Sequence, residues 1–143
     1  MKKKLADAAF VYVIAGLAAG VFYREFTKFQ GFSGRTALGL VHPHLLLLGA
    51  GVMLLLIALE PALLLIGEER SLKRSLLFYH CGLGLTAALL LIRGVFQVLG
   101  SPLSRGLDAS ISGIAGIGHI LLAIGLCRLL LMIRRRAAET VRA

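Results

Sequence analysis

Four histidines, His42, His44, His80 and His119, are the residues of this chain best suited to chemistry, and all four fall inside long apolar runs. Ionisable side chains surrounded by hydrocarbon are costly and usually turn to the interior of a bundle. One such histidine reads as hydrogen-bonded packing. Four of four read differently, because neutral imidazole is the commonest biological metal ligand and an axial ligand of haem iron. Structural zinc is disfavoured: it takes four ligands, often cysteine, and no carboxylate lies at this depth. HExxH, Walker A, GxSxG and a GxGxxG opening a helix are all missing from the sequence, so no hydrolase or kinase constellation is present. His42 and His44 flank Pro43. On a regular helix they diverge by about 200°, and only a distortion at the proline could bring both to one ligand.

The elements that must position these histidines follow from composition. Of 143 residues, 58% are hydrophobic and 16% charged, with a mean hydropathy of +0.88. A water-soluble domain of this size could not hide so much apolar surface, and disorder needs the opposite composition. Four runs, near 6–27, 38–62, 76–99 and 110–132, are each long enough to cross a hydrocarbon core about 30 Å thick. The first follows Met1-Lys2-Lys3-Lys4, as a signal peptide would. It is long, ends in Tyr23-Arg24-Glu25-Phe26 and has no small-residue cleavage site, so it reads as a retained span. Short connections predict an all-α, up-down-up-down four-helix membrane bundle, a single domain over 1–143. Gln30–Gly34 and Gly100–Gly106 are expected as turns at one end, and Gly67–Arg70 at the other.

The net charge of +9 falls between and beyond the apolar runs, which speaks for membrane topology and against nucleic acid. Eleven basic residues flank one side (Lys2, Lys3, Lys4, Arg70, Lys73, Arg74, Arg128, Arg134, Arg135, Arg136 and Arg142). Four flank the other (Arg24, Lys28, Arg35 and Arg105). The positive-inside rule then places both termini in the cytoplasm, in a bacterial inner membrane. Arg134–Arg136 reads as an anchor on anionic lipid. Glycines at 16 and 20, 49 and 51, 82 and 84, and 113, 116 and 118 are expected at helix interfaces. Cys81 and Cys127, inside apolar runs, are expected as small packing residues.

Depth selects among the histidines. At 1.5 Å per residue, His44 lies about 9 Å and His42 about 12 Å outward of their span's midpoint, His119 about 3 Å outward and His80 about 11 Å inward. His44 and His119 are therefore the best matched axial pair, and His80 is the outlier unless its span begins nearer Ser71. Small residues share their faces: Ser112, Ala115, Gly116 and Ala123 with His119, Gly84, Ala87 and Ala88 with His80, Gly51 and Ala58 with His44. Haem propionates would find Arg93, Arg35 and Tyr23 toward the outer side, with Gln97 four residues from Arg93. The expectation is a haem b protein of electron transfer or diatomic-gas handling. His119 leads as ligand, His44 and His42 compete for the opposite face, and His80 serves a second site or handles protons. The rival is a transport or accessory protein whose histidines bind a metal ion or line a proton path. A quinone or another redox partner, and a second copy of the chain, are candidate partners.

Two resemblances accompany this reading. Phe22-Tyr23-Arg24-Glu25-Phe26-Thr27-Lys28-Phe29, Gly34-Arg35-Thr36-Ala37-Leu38 and Leu40-Val41-His42-Pro43-His44-Leu45-Leu46-Leu47-Leu48-Gly49 resemble a family of short bacterial four-helix membrane proteins that carries only a domain-of-unknown-function label. That likeness spans essentially the whole chain and implies the fold. The His-x-His-Leu-Leu stretch alone is similar to histidine-bearing helices of the large subunit of haem–copper oxidases and nitric oxide reductases. It implies haem binding at His42 or His44. The adjacent His-His pair of a copper centre is missing from this sequence.

Overall fold

A computed structural model describes residues 1–63, 65 and 69–140. Four helices account for almost all of them: α1 Lys2–Phe29, α2 Ala37–Leu63, α3 Glu69–Val98 and α4 Arg105–Thr140. Each is long and apolar enough to cross a membrane. No strand occurs among the described residues. Gly31 and Gly100 end α1 and α3 at φ of 60° and 62°. There the amides of Phe32 and Ser101 reach back to the carbonyls of Thr27 and Phe96. Only a residue free of Cβ strain closes this left-handed cap cheaply. The outer turns thus lie where expected. Gly67 and Glu68 of the expected inner turn lie outside the described residues, and α3 already begins at Glu69. That early start puts His80 only about 5 Å from the helix midpoint at 1.5 Å per residue.

α2 is not a uniform helix. It opens with a 3₁₀ turn over Ala37–Leu40, passes through Val41–Pro43, widens into a π-helix over His44–Gly51 and returns to α over Val52–Leu63. Pro43 has no N–H to donate and its ring crowds the preceding turn. The widening begins at the residue after it, so the distortion expected between the two histidines is present. Thr36 pins the outer end of α2: its hydroxyl accepts from the Leu38 amide at 3.2 Å and donates to the Gly94 carbonyl at 3.0 Å. At the other end Lys2 of α1 pairs with the buried Glu60 of α2.

α2 and α3 pack on each other, α1 packs chiefly on α2, and α4 packs chiefly on α3. Two cores result. The one toward the basic end draws on all four helices, with Leu5, Met53, Leu56, Leu76, Tyr79, Leu122 and Met132 among its members. The outer core, around Leu38, Val41, Leu45, Ala87 and Val98, contains no residue of α4. The outer halves of α2 and α4 are therefore parted, with α3 behind them.

Glycines set how closely the helices approach. A methyl group at Gly82 would strike the Leu122 backbone, one at Gly94 the Leu38 backbone, and one at Gly125 the Tyr79 amide at 2.5 Å. Gly16, Gly20, Gly49 and Gly118 lie at interfaces as expected, whereas Gly84, Gly113 and Gly116 face open space. Cys81 and Cys127 are free and exposed, so they line the outer surface rather than pack inside. The reason is rotational: α4 turns Gly125, Leu122 and Leu129 toward α3, which leaves Cys127 on the far side.

Candidate functional site

The seven residues singled out from the sequence separate into three places. His42 turns toward α1. Its Cβ and Cγ lie 3.7 Å from where a side chain on Gly20 would begin, and its Nδ1 is buried without a partner. Tyr23 covers Gly39 in the same α1–α2 seam. Tyr23 and Arg35 also line one outer cleft of about 560 Å³, together with Gln97. Gln97 Oε1 accepts the Ala37 amide at 2.7 Å, joining α3 to the start of α2.

His44 on α2 and His119 on α4 come next; His44 is half-buried and His119 exposed. His44 follows His42 two residues later, at the first position of the π-helical stretch. Its stripe continues inward through Leu48 and Val52, which pack on the four-helix core. The stripe of His119 runs to Leu126 and Ile133 at seven-residue steps, and both of these also pack on that core. Both stripes thus lead inward to the same core cluster. Register on α3 gives their depths. Leu38 lies against Gly94, and the Leu48 carbonyl accepts from Tyr79. Gly118 lies against Thr86 and Gly82, and Gly125 against Tyr79. His44 and His119 are thereby opposite α3 positions no more than about three residues apart, roughly 5 Å along the axis. Thr86, 1% exposed, stands at this level with its hydroxyl unpartnered.

Their tautomers are set alike. Nδ1 of His44 lies 2.8 Å from the Leu40 carbonyl, and Nδ1 of His119 lies 2.8 Å from the Ala115 carbonyl. A carbonyl only accepts, so each Nδ1 carries the proton and each Nε2 keeps its lone pair. Fixing one nitrogen on a backbone carbonyl is how a ligating histidine is usually oriented. Toward the outer end Arg93 donates to Asp108 at 2.7 Å and to Ser112 at 2.8 Å, while its Nε is buried and unpartnered. Arg93 thus ties α3 to the first turns of α4. It also lines a cleft of about 460 Å³ with Gln97, Arg105 and Asp108.

His80 is the third place, on the α1 side. Nδ1 of His80 is 2.7 Å from the Tyr12 hydroxyl, and the two rings stack with centroids 5.7 Å apart. The bond ties α1 to α3. The neighbouring Tyr79 donates to the Leu48 carbonyl at 2.6 Å, inside the π-helical segment. Tyr12 lies flat on Gly49, whose Cβ position is 2.5 Å from the ring. Sequence reasoning missed Tyr79 and Asp108. The adjacent Tyr-His pair inside an apolar run was the available signal for the first, and a lone carboxylate near the outer end of a span for the second. Among the described residues no three His, Cys, Asp or Glu side chains gather to hold an ion.

The family described as "Protein of unknown function (DUF2871)" matches residues 1–136. No curated protein and no solved structure matches the chain, so the local likeness to haem–copper oxidase helices gains no further support.

Proposed function

The chain belongs to this family of unknown function, and we propose that it is a membrane protein binding haem b between α2 and α4, with His44 and His119 as axial ligands. One observation carries the reading. Two histidines on separate helices fall at similar depth by their register on α3, each with Nδ1 held by a backbone carbonyl and the Nε2 lone pair left for a ligand. Small and polar neighbours support it, since Ser112, Gly116 and Ala123 leave the α4 face low enough for a flat macrocycle. Arg93, Gln97 and Arg35 stand toward the outer end, where propionates would need donors. Bound haem would supply one-electron or diatomic-ligand chemistry. The histidines and the outer polar groups would orient it. Its place is a bacterial inner membrane with the basic end and both termini cytoplasmic, on the positive-inside argument.

The test is the absorption spectrum of the purified protein, oxidised and then reduced, with His44→Ala and His119→Ala beside it. Loss of the haem bands in both variants supports the pair, and unchanged bands in both remove it.

The Tyr12–His80 pair favours a second reading, a transport or accessory protein in which intramembrane histidines handle protons or a metal ion. A spectrum without haem bands, combined with proton or metal flux lost in His80→Ala, would select it.

A further inference from the structure

At the basic end α3 and α4 enclose a cleft of about 280 Å³ lined by Ser71, Arg128, Leu131, Met132 and Arg135. Arg128 lies six residues before Arg134, and everything between them is apolar, Leu129 to Ile133. At 1.5 Å per residue its guanidinium stem starts about 9 Å deeper than the arginine cluster. A cation at that depth demands a counter-charge or an escape to the headgroups. Arg128 is held instead: its Nε donates to the Ser75 hydroxyl at 3.3 Å, and that hydroxyl donates to the Ser71 carbonyl at 2.9 Å. Ser75 is fully buried. No carboxylate among the described residues pairs with Arg128, and its two terminal nitrogens remain for an anion.

We propose that this cleft binds the headgroup phosphate of an anionic phospholipid in the leaflet at the basic end. The phosphate sits on the Arg128 fork with Ser71 and Arg135 beside it, a geometry suited to bidentate hydrogen bonding. Leu131 and Met132 meet the first acyl carbons, which is why the ligand is a lipid rather than free phosphate. Among the described residues that line the cleft there is no aromatic ring and no carboxylate to hold the ammonium of a zwitterionic headgroup. Basic pockets between spanning helices on the cytoplasmic side recognise anionic lipids in this manner.

The experiment is native mass spectrometry of the detergent-solubilised full chain, titrated with phosphatidylglycerol or phosphatidylcholine of the same acyl chains. One phosphatidylglycerol is expected to be retained at lower concentration than phosphatidylcholine. Arg128→Gln should weaken it roughly fivefold or more, the worth of one basic residue at the surface. Arg134→Gln, the same charge change outside the cleft, should cost less. Met132→Trp keeps every charge and fills the cleft, so it should also weaken retention, and it decides the matter if Arg128→Gln fails to fold. Equal retention of both lipids, equal losses in Arg128→Gln and Arg134→Gln, or unchanged retention in Met132→Trp would overturn the proposal. So would displacement of the lipid by glycerol 3-phosphate, which would make free phosphate the ligand.

Discussion

Tyr79→Phe removes one oxygen and leaves the ring. The Tyr79 side chain is fully buried, and its hydroxyl reaches the Leu48 carbonyl at 2.6 Å. Its backbone amide and Cα, which abut Gly125, are untouched by the change. The perturbation is thus confined to a single hydrogen bond that bridges α3 and the π-helical stretch of α2. Hydrogen bonds between membrane helices average about 0.6 kcal/mol and reach about 1.7. An acceptor left unsatisfied beyond the reach of water costs about 1–3 kcal/mol. With the site fully buried, the upper part of the membrane range applies, and a loss of about 1.5 kcal/mol is expected. Tyr12→Phe leaves the half-buried His80 without its partner and should cost less, about 0.6 kcal/mol. Equilibrium unfolding in mixed detergent micelles, followed by circular dichroism, reads both. A change below about 0.3 kcal/mol for Tyr79→Phe, half the membrane average, would show that the hydroxyl does not hold the widened turn. So would an order reversed against Tyr12→Phe.

Four further outcomes are expected. Reporter fusions should place the C-terminus in the cytoplasm and the 100–106 loop outside, and a periplasmic C-terminus would overturn the orientation drawn from eleven against four basic residues. Gly94→Val should destabilise the fold by about 1–3 kcal/mol, since its side chain must enter the Leu38 backbone, whereas Gly113→Val should be nearly silent in unfolding. His44→Ala should damage the cofactor spectrum more than His42→Ala, because His42 faces α1, and the reverse order would exchange their roles. Cys81→Ala and Cys127→Ala should leave both stability and spectrum unchanged within experimental error, since both thiols sit on the outer surface.

The spans were legible because apolar length and flanking charge are local properties. The helix starts were less so: α3 runs on through Arg70, Lys73 and Arg74 to Glu69, since charged residues continue a helix beyond the hydrocarbon without cost. Pro43 announced a distortion, but not that it would take the form of eight residues of π-helix held by a tyrosine from α3. Matched depth for His44 and His119 could be read by counting residues. The tautomers could not, because they depend on rotamers that bring Nδ1 to the carbonyl one turn back. Depth set His80 apart from the others, but its partner Tyr12, 68 residues away, could not be read from the sequence. Glycine spacing marked interfaces in α1, yet in α4 it marked only Gly118, because Gly113 and Gly116 turn away from α3.

The most direct test of the central claim is a reduced-minus-oxidised absorption spectrum of the purified protein supplied with haem, recorded for the unaltered chain and for His44→Ala, His119→Ala and His80→Ala. The bands of six-coordinate low-spin haem are expected in the unaltered chain and in His80→Ala, and their loss or conversion to high spin in the other two. A spectrum without haem bands in the unaltered chain, or bands that survive both His44→Ala and His119→Ala, would contradict that claim.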